Sequence, residues 1–131
     1  MSVNHVLTRS FKTGNNAAVV AEKTVAVDSE SVVPALTISD GEDDHFEAWQ
    51  VDISRAKTIF MQSTKDVTIC TNAPEAPSGA PDQTIELLAN QPIIWAYGDQ
   101  ESCPITADVN SVYITNGSGE DAEIDLVAGH Q

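Results

Sequence analysis

The sequence predicts an all-β protein: a single-domain β-sandwich, jelly-roll-like, with an extended N-terminal segment. Three observations carry that expectation. Helical periodicity is weak throughout, and the chain is instead cut into short runs rich in Val, Ile and Thr, separated by Asn, Asp, Gly and Pro. Several runs alternate apolar and polar residues with period two, which puts one face in a core and the other in water. At 131 residues the chain fits one domain, a size that buries roughly two thirds of the unfolded surface.

Strands are expected, in order, over 6–12, 18–27, 35–38, 46–52, 58–62, 67–71, 84–88, 93–96, 111–115 and 123–127. The first two alternate least cleanly; they hold Arg9, Lys12 and Lys23 and an apolar patch, Ala17-Ala-Val-Val20, followed by Val25 and Val27. Residues 1–30 are expected to pair along the edge of a body formed by 31–131, with an arm that docks on or swaps into another chain as the alternative. After the third strand, Asp40-Gly-Glu-Asp-Asp44 is a loop kept solvated by like charges. Ser63-Thr-Lys-Asp66 is short enough to join the fifth and sixth strands as a hairpin, with Val67 and Ile69 on the inner face. Three prolines and a glycine between 72 and 82 forbid regular pairing and leave a contact loop or a connector. Trp95 follows Ile93-Ile94 as a strand-end or core anchor. In the last pair Val112 and Ile114 oppose Tyr113, and Ile124 and Leu126 oppose Glu123 and Asp125. The intervening Asn116-Gly-Ser-Gly119 carries the Asn-Gly hairpin signal.

Charge is distributed unevenly. Residues 66–131 hold eleven of the twenty acids and none of the six bases, so the two halves carry −11 and −3. Nucleic-acid affinity comes largely from Lys and Arg neutralising phosphates, so direct contact with DNA or RNA is excluded as an expectation. The acidic skin serves solubility, a salty medium or a basic partner. No apolar run approaches the roughly 20 residues that span a bilayer, so no membrane is expected. Met-Ser-Val-Asn-His lacks the pattern of a secretory signal, which points to synthesis in a cytoplasm.

Chemistry-bearing residues are sparse. His5, His45 and His130 are far apart in sequence, and no nucleophile–base pattern accompanies them, so no catalytic residue is assigned. His45 beside Asp43, Asp44 and Glu47 lacks the ligand spacing of an EF-hand or a zinc helix; no metal and no cofactor are expected. Cys70 and Cys103 admit one bridge, but without C-x-x-C spacing reduced thiols are the expectation. Trp49, Trp95 and Tyr97 offer the makings of a sugar-stacking platform.

Three blocks, Val51–Asn72, Thr84–Trp95 and Ile105–Ser118, resemble in order and spacing a group of small tailed-phage virion proteins, those that decorate or cement the capsid surface. The resemblance covers about the last two thirds of the chain. It implies a structural protein that binds the outer surface of a phage head at junctions between capsomers. Its partner would be the major capsid protein, with a homotrimer as the working unit and a virion location. Residues 1–45 add nothing to the resemblance. From their own composition, Arg9, Phe11, Lys12, Val19 and Val20 are the expected capsid or subunit interface. The rival expectation is a tail or baseplate module that uses Trp49, Trp95 or loop 73–82 to bind a host glycan.

Overall fold

A computed structural model describes residues 2–131. It contains ten strands: β1 (Val3–Phe11), β2 (Val19–Val27), β3 (Ser29–Ile38), β4 (His45–Val51), β5 (Ala56–Ser63), β6 (Val67–Thr71), β7 (Thr84–Leu87), β8 (Ile93–Ala96), β9 (Val109–Thr115) and β10 (Ala122–His130). Each overlaps an expected run, although β3 begins six residues earlier than expected, and the all-β sandwich is confirmed. Two four-stranded antiparallel sheets, ordered β3-β10-β5-β8 and β4-β9-β6-β7, face one another, while β1 and β2 form a two-stranded ribbon of their own. With β3 to β10 taken as the eight strands, six of the seven connections cross between sheets and only β6–β7 stays within one, which is the double-sheet jelly-roll plan.

The inward face of each sheet is the alternating apolar set. Ile59 and Met61 of β5, Ile69 of β6, Val112 and Ile114 of β9, and Ile124 and Leu126 of β10 meet between the sheets, with Trp49 at 0% exposure among them. Outward residues of the same strands, such as Glu86 and Glu123, stay in water. At Pro34-Ala35 the β3–β10 ladder shifts register between Ile124 and Leu126. Pro34 has no N–H to give, and the Ala35 N–H is taken by Asp125 Oδ1 at 2.7 Å instead.

Three expectations about connections are corrected. Ser63–Asp66 does not close a hairpin: β5 pairs with β10 and β8, and β6 pairs with β7 and β9, so the turn is a corner between sheets. Asn116–Gly119 is likewise a corner, from β9 in one sheet to β10 in the other. A corner and a hairpin need the same turn residues, so the Asn-Gly signal marks the turn but not the pairing. Buried Asn116 works as a local clamp, its amide donating to the carbonyls of Ile38, Ser39 and Glu120. The N-terminal segment, finally, does not extend the edge of the body; β1 pairs with β2 from Val3↔Val27 to Phe11↔Val19.

Candidate functional site

The ribbon is where the molecule departs from an ordinary sandwich. In its register Val3/Val27, His5/Val25, Leu7/Lys23, Arg9/Ala21 and Phe11/Val19 share one face. That face lies across the outside of the β3-β10-β5-β8 sheet. Its base sits on Gly129 of β10, where an added Cβ would press on Thr58 Oγ1 and lie 2.7 Å from Val27 Cγ1 and 2.8 Å from His5 Cε1. Only a glycine lets the ribbon approach this closely. His5 then reaches β5: its Nδ1 is 2.6 Å from Thr58 Oγ1 and its Nε2 is 2.5 Å from Glu30 Oε1. Because the carboxylate only accepts, Nε2 carries the proton that it gives to Glu30.

Further along, the ribbon reaches β8, the sheet's edge. Arg9 donates to the Ile94 carbonyl at 3.1 Å and to Asp99 at 2.8 Å, and Lys23 donates to the Tyr97 carbonyl at 2.7 Å and to Asp99 at 3.4 Å. Burial pushes the Asp99 carboxyl up. The Ala96 N–H and the Arg9 and Lys23 side chains more than offset this and hold it below its ordinary value. Lys57 lies 3.8 Å over the Tyr97 ring beside this latch. Beyond the latch the support ends, and every residue from Thr8 to Glu22 is exposed. Phe11 is 69% and Val19 71% exposed, on the face that nearer the base buries Leu7 and Val27. Val20 is exposed on the opposite face. Among the described residues Lys12 has no ion pair and no hydrogen-bond partner.

A groove of about 460 Å³ runs beside β1, lined by Val6, Leu7, Thr58, Phe60, Ile94 and Val127 among others. Thr58 and His5 line it, and with Glu30, which bonds His5 from outside the groove, they have the residue types of a hydrolytic triad, an arrangement that sequence separation hid. Thr58 is buried, and its hydroxyl lies at the seam between Gly129 of β10 and Val27 of the ribbon. The trio pins the ribbon to the sheet.

Among the expected interface residues, then, Phe11, Lys12, Val19 and Val20 are brought together at the free tip. Arg9 stands apart from them, its guanidinium engaged in the latch. The sugar platform is corrected. Trp49 is buried with Nε1 donating to the Ser31 carbonyl, and Trp95 is buried with Nε1 donating to the Glu101 carbonyl, which leaves Tyr97 alone at the surface. An indole needs a partner for its N–H when buried, and both find a carbonyl.

No family model matches the chain, and no curated protein matches it. Among solved structures it is similar to a chain from Bacillus endospore appendages, described as a novel family of disulfide-linked pili, with 13% identity and a TM-score of 0.33 over 81% of this chain and 94% of that one. At that score the likeness carries no argument about function.

On the outer face of the second sheet Phe46 is exposed, Tyr113 half-buried and Cys70 buried. Phe46, Tyr113 and Cys70 form a row across β4, β9 and β6, with the Phe46 and Tyr113 rings edge-to-face at 5.6 Å. Burial raises the Cys70 thiol above its ordinary value, and the nearby Glu75, Asp44 and Glu86 carboxylates add to the rise. At the end of β4, His45 is bonded to Glu42 at 2.6 Å and to Glu47 at 3.2 Å. The Glu42 bond chiefly raises its pKa, as its own bond to His45 lowers that of Glu42. Cys70 and Cys103 are both free thiols. Among the described residues no group of three or more His, Cys, Asp or Glu side chains is placed to hold a metal, and no helix is long and apolar enough to cross a membrane.

Proposed function

We propose that the protein is a structural, non-catalytic decoration protein of a phage head. It would bind the outer surface of the shell at junctions between capsomers as a trimer, with the N-terminal ribbon as the arm that holds neighbouring subunits. The observation that carries this reading is the unsupported distal ribbon, a strand pair with three exposed apolar side chains, Phe11, Val19 and Val20, and a free lysine held out from an acidic body. An isolated two-stranded ribbon is marginal in water, so an exposed apolar one is explained best by a partner that covers it. The resemblance of residues 51–118 to phage decoration proteins supplies the kind of particle, and an acidic skin suits a module that reinforces a DNA-filled shell without binding the DNA. The jelly roll itself hosts many functions and adds no weight either way. A glycan-binding tail module is disfavoured by the burial of Trp49 and Trp95.

The test is addition of the purified protein to emptied heads lacking it. The wild-type chain should co-sediment with the heads as trimers, and a Phe11→Asp/Val19→Asp variant should lose occupancy while its body stays folded. Occupancy unchanged by that variant would remove the ribbon from the interface, and no binding of the wild-type chain would overturn decoration.

A further inference from the structure

We propose that the partner of the ribbon tip is a second copy of this chain, which receives it on the outer face of the β4-β9-β6-β7 sheet, around the exposed Phe46. This rests on reading the ribbon as an assembly arm and names what the arm grips. Two complementarities point to it. The tip offers Phe11 and Val19 side by side on one face, and the receiving sheet offers Phe46, 57% exposed, edge-on to Tyr113, so each surface leaves an apolar patch uncovered. The charges match as well. The ribbon, residues 3–27, carries Arg9, Lys12 and Lys23 against a single acid, Glu22, whereas residues 29–131 carry eighteen acids against three bases. Glu86 accepts from Thr68 Oγ1 at 3.2 Å on the outer side of β6, and Asp44, two residues before Phe46, accepts the Glu75 N–H at 3.4 Å, which puts these acids around the aromatic row; Lys12 is the one base of the ribbon that the body does not hold.

Geometry fixes the mode of assembly. The ribbon rides on the outside of one sheet and the receiving face is the outside of the other, so donor and acceptor surfaces lie on opposite sides of the sandwich. No chain can satisfy its own tip, because Arg9 and Lys23 latch the ribbon to β8 and Val27 seats it at Gly129. The contact is therefore heterologous: each copy gives one tip and receives one, and the product is a closed ring such as a trimer or an open stack.

Light scattering across a concentration series tests this with the full chain and no shells present. The wild-type mass should rise to a multiple of the monomer. A tip variant, Phe11→Asp/Val19→Asp, and a face variant, Phe46→Lys, alter exposed side chains and should each stay monomeric. Mixed together, they should form a complex of two chains and nothing larger, because one good tip and one good face remain. Lys12→Glu, a milder tip change, should weaken association at least tenfold, and Glu86→Lys on the receiving copy should restore part of it. A wild-type chain still monomeric at about 1 mM, either variant assembling normally, or a mixture that stays monomeric would each overturn the inference. Self-assembly without shell binding would overturn decoration alone, and shell binding by a monomer would overturn this contact alone.

Discussion

The sandwich and the ribbon are made of the same antiparallel pairs and much the same residues, yet one buries its apolar side chains and the other shows them. In β5, β9 and β10 every second residue enters a core that two sheets share. In the ribbon the same alternation continues, and past Arg9 nothing lies beneath it. Simple dimensions explain the overhang. A nine-residue strand is about 30 Å long at roughly 3.3 Å per residue, whereas the outer strands of a four-stranded sheet lie about 14 Å apart at roughly 4.8 Å per strand. A ribbon that crosses from β10 over β5 to β8 must therefore run past the edge. Pairing specifies a strand; burial decides whether the strand is self-sufficient.

The contrast is broken most severely in the core. Trp49→Ala should cost about 3–5 kcal/mol by urea unfolding, because a fully buried indole is lost together with its bond to Ser31. Gly129→Ala acts at the seam between the regions. It should cost about 1–3 kcal/mol and raise amide exchange selectively in β1 and β2, and uniform exchange across the molecule would mean that the ribbon is not seated there. Removing the latch by Arg9→Ala should change stability by at most about 1 kcal/mol, since the pair is exposed on the arginine side, while loosening the ribbon near β8. The smallest effect is expected from Phe11→Asp, within about 0.5 kcal/mol for the isolated chain because the ring touches solvent.

Two histidines sharpen the comparison through pH. Burial lowers the pKa of His130, whose Nε2 accepts the Asp52 N–H at 3.0 Å and must be unprotonated to do so. Between 6.5 and its lower folded value the unfolded chain binds the proton and the folded chain does not, so this group costs stability as pH falls through that window. His45 is raised by its carboxylate partners, so its contribution is complete below 6.5 and disappears as pH climbs through the folded value. Proton-detected titration should place His130 below 6.5 and His45 above it, and the reverse order would refute both assignments.

Much of the body was legible because it alternates. Val67/Ile69, Val112/Ile114 and Ile124/Leu126 announce both strand and inward face, and all six lie in the core. The pairing of strands was not legible, since Ser63–Asp66 and Asn116–Gly119 are turns whichever sheet the chain enters next. The first half of β3 was missed because Ser29-Glu-Ser-Val-Val-Pro34 has no clean alternation and ends in a proline; it is a strand through its pairing with β10. At the candidate site Phe11, Lys12, Val19 and Val20 could be picked out as apolar and basic residues in a segment too polar to form a core. The partners of Arg9 could not, because Ile94 and Asp99 lie some 85 and 90 residues away. The Thr58–His5–Glu30 trio was hidden by the same separation.

The crossing connections also set an order in time. With six of seven body connections passing between sheets, almost every pairing of the sandwich must wait for a loop to close, which places such folds in the range of about milliseconds to seconds. The ribbon is local, with seven residues between β1 and β2, and hairpins form in about 1–10 μs. A newly released chain would thus sample its ribbon well before it owns the sheet on which the ribbon is seated. Under the proposed contact between copies, mature subunits, and not nascent ones, decide when assembly begins.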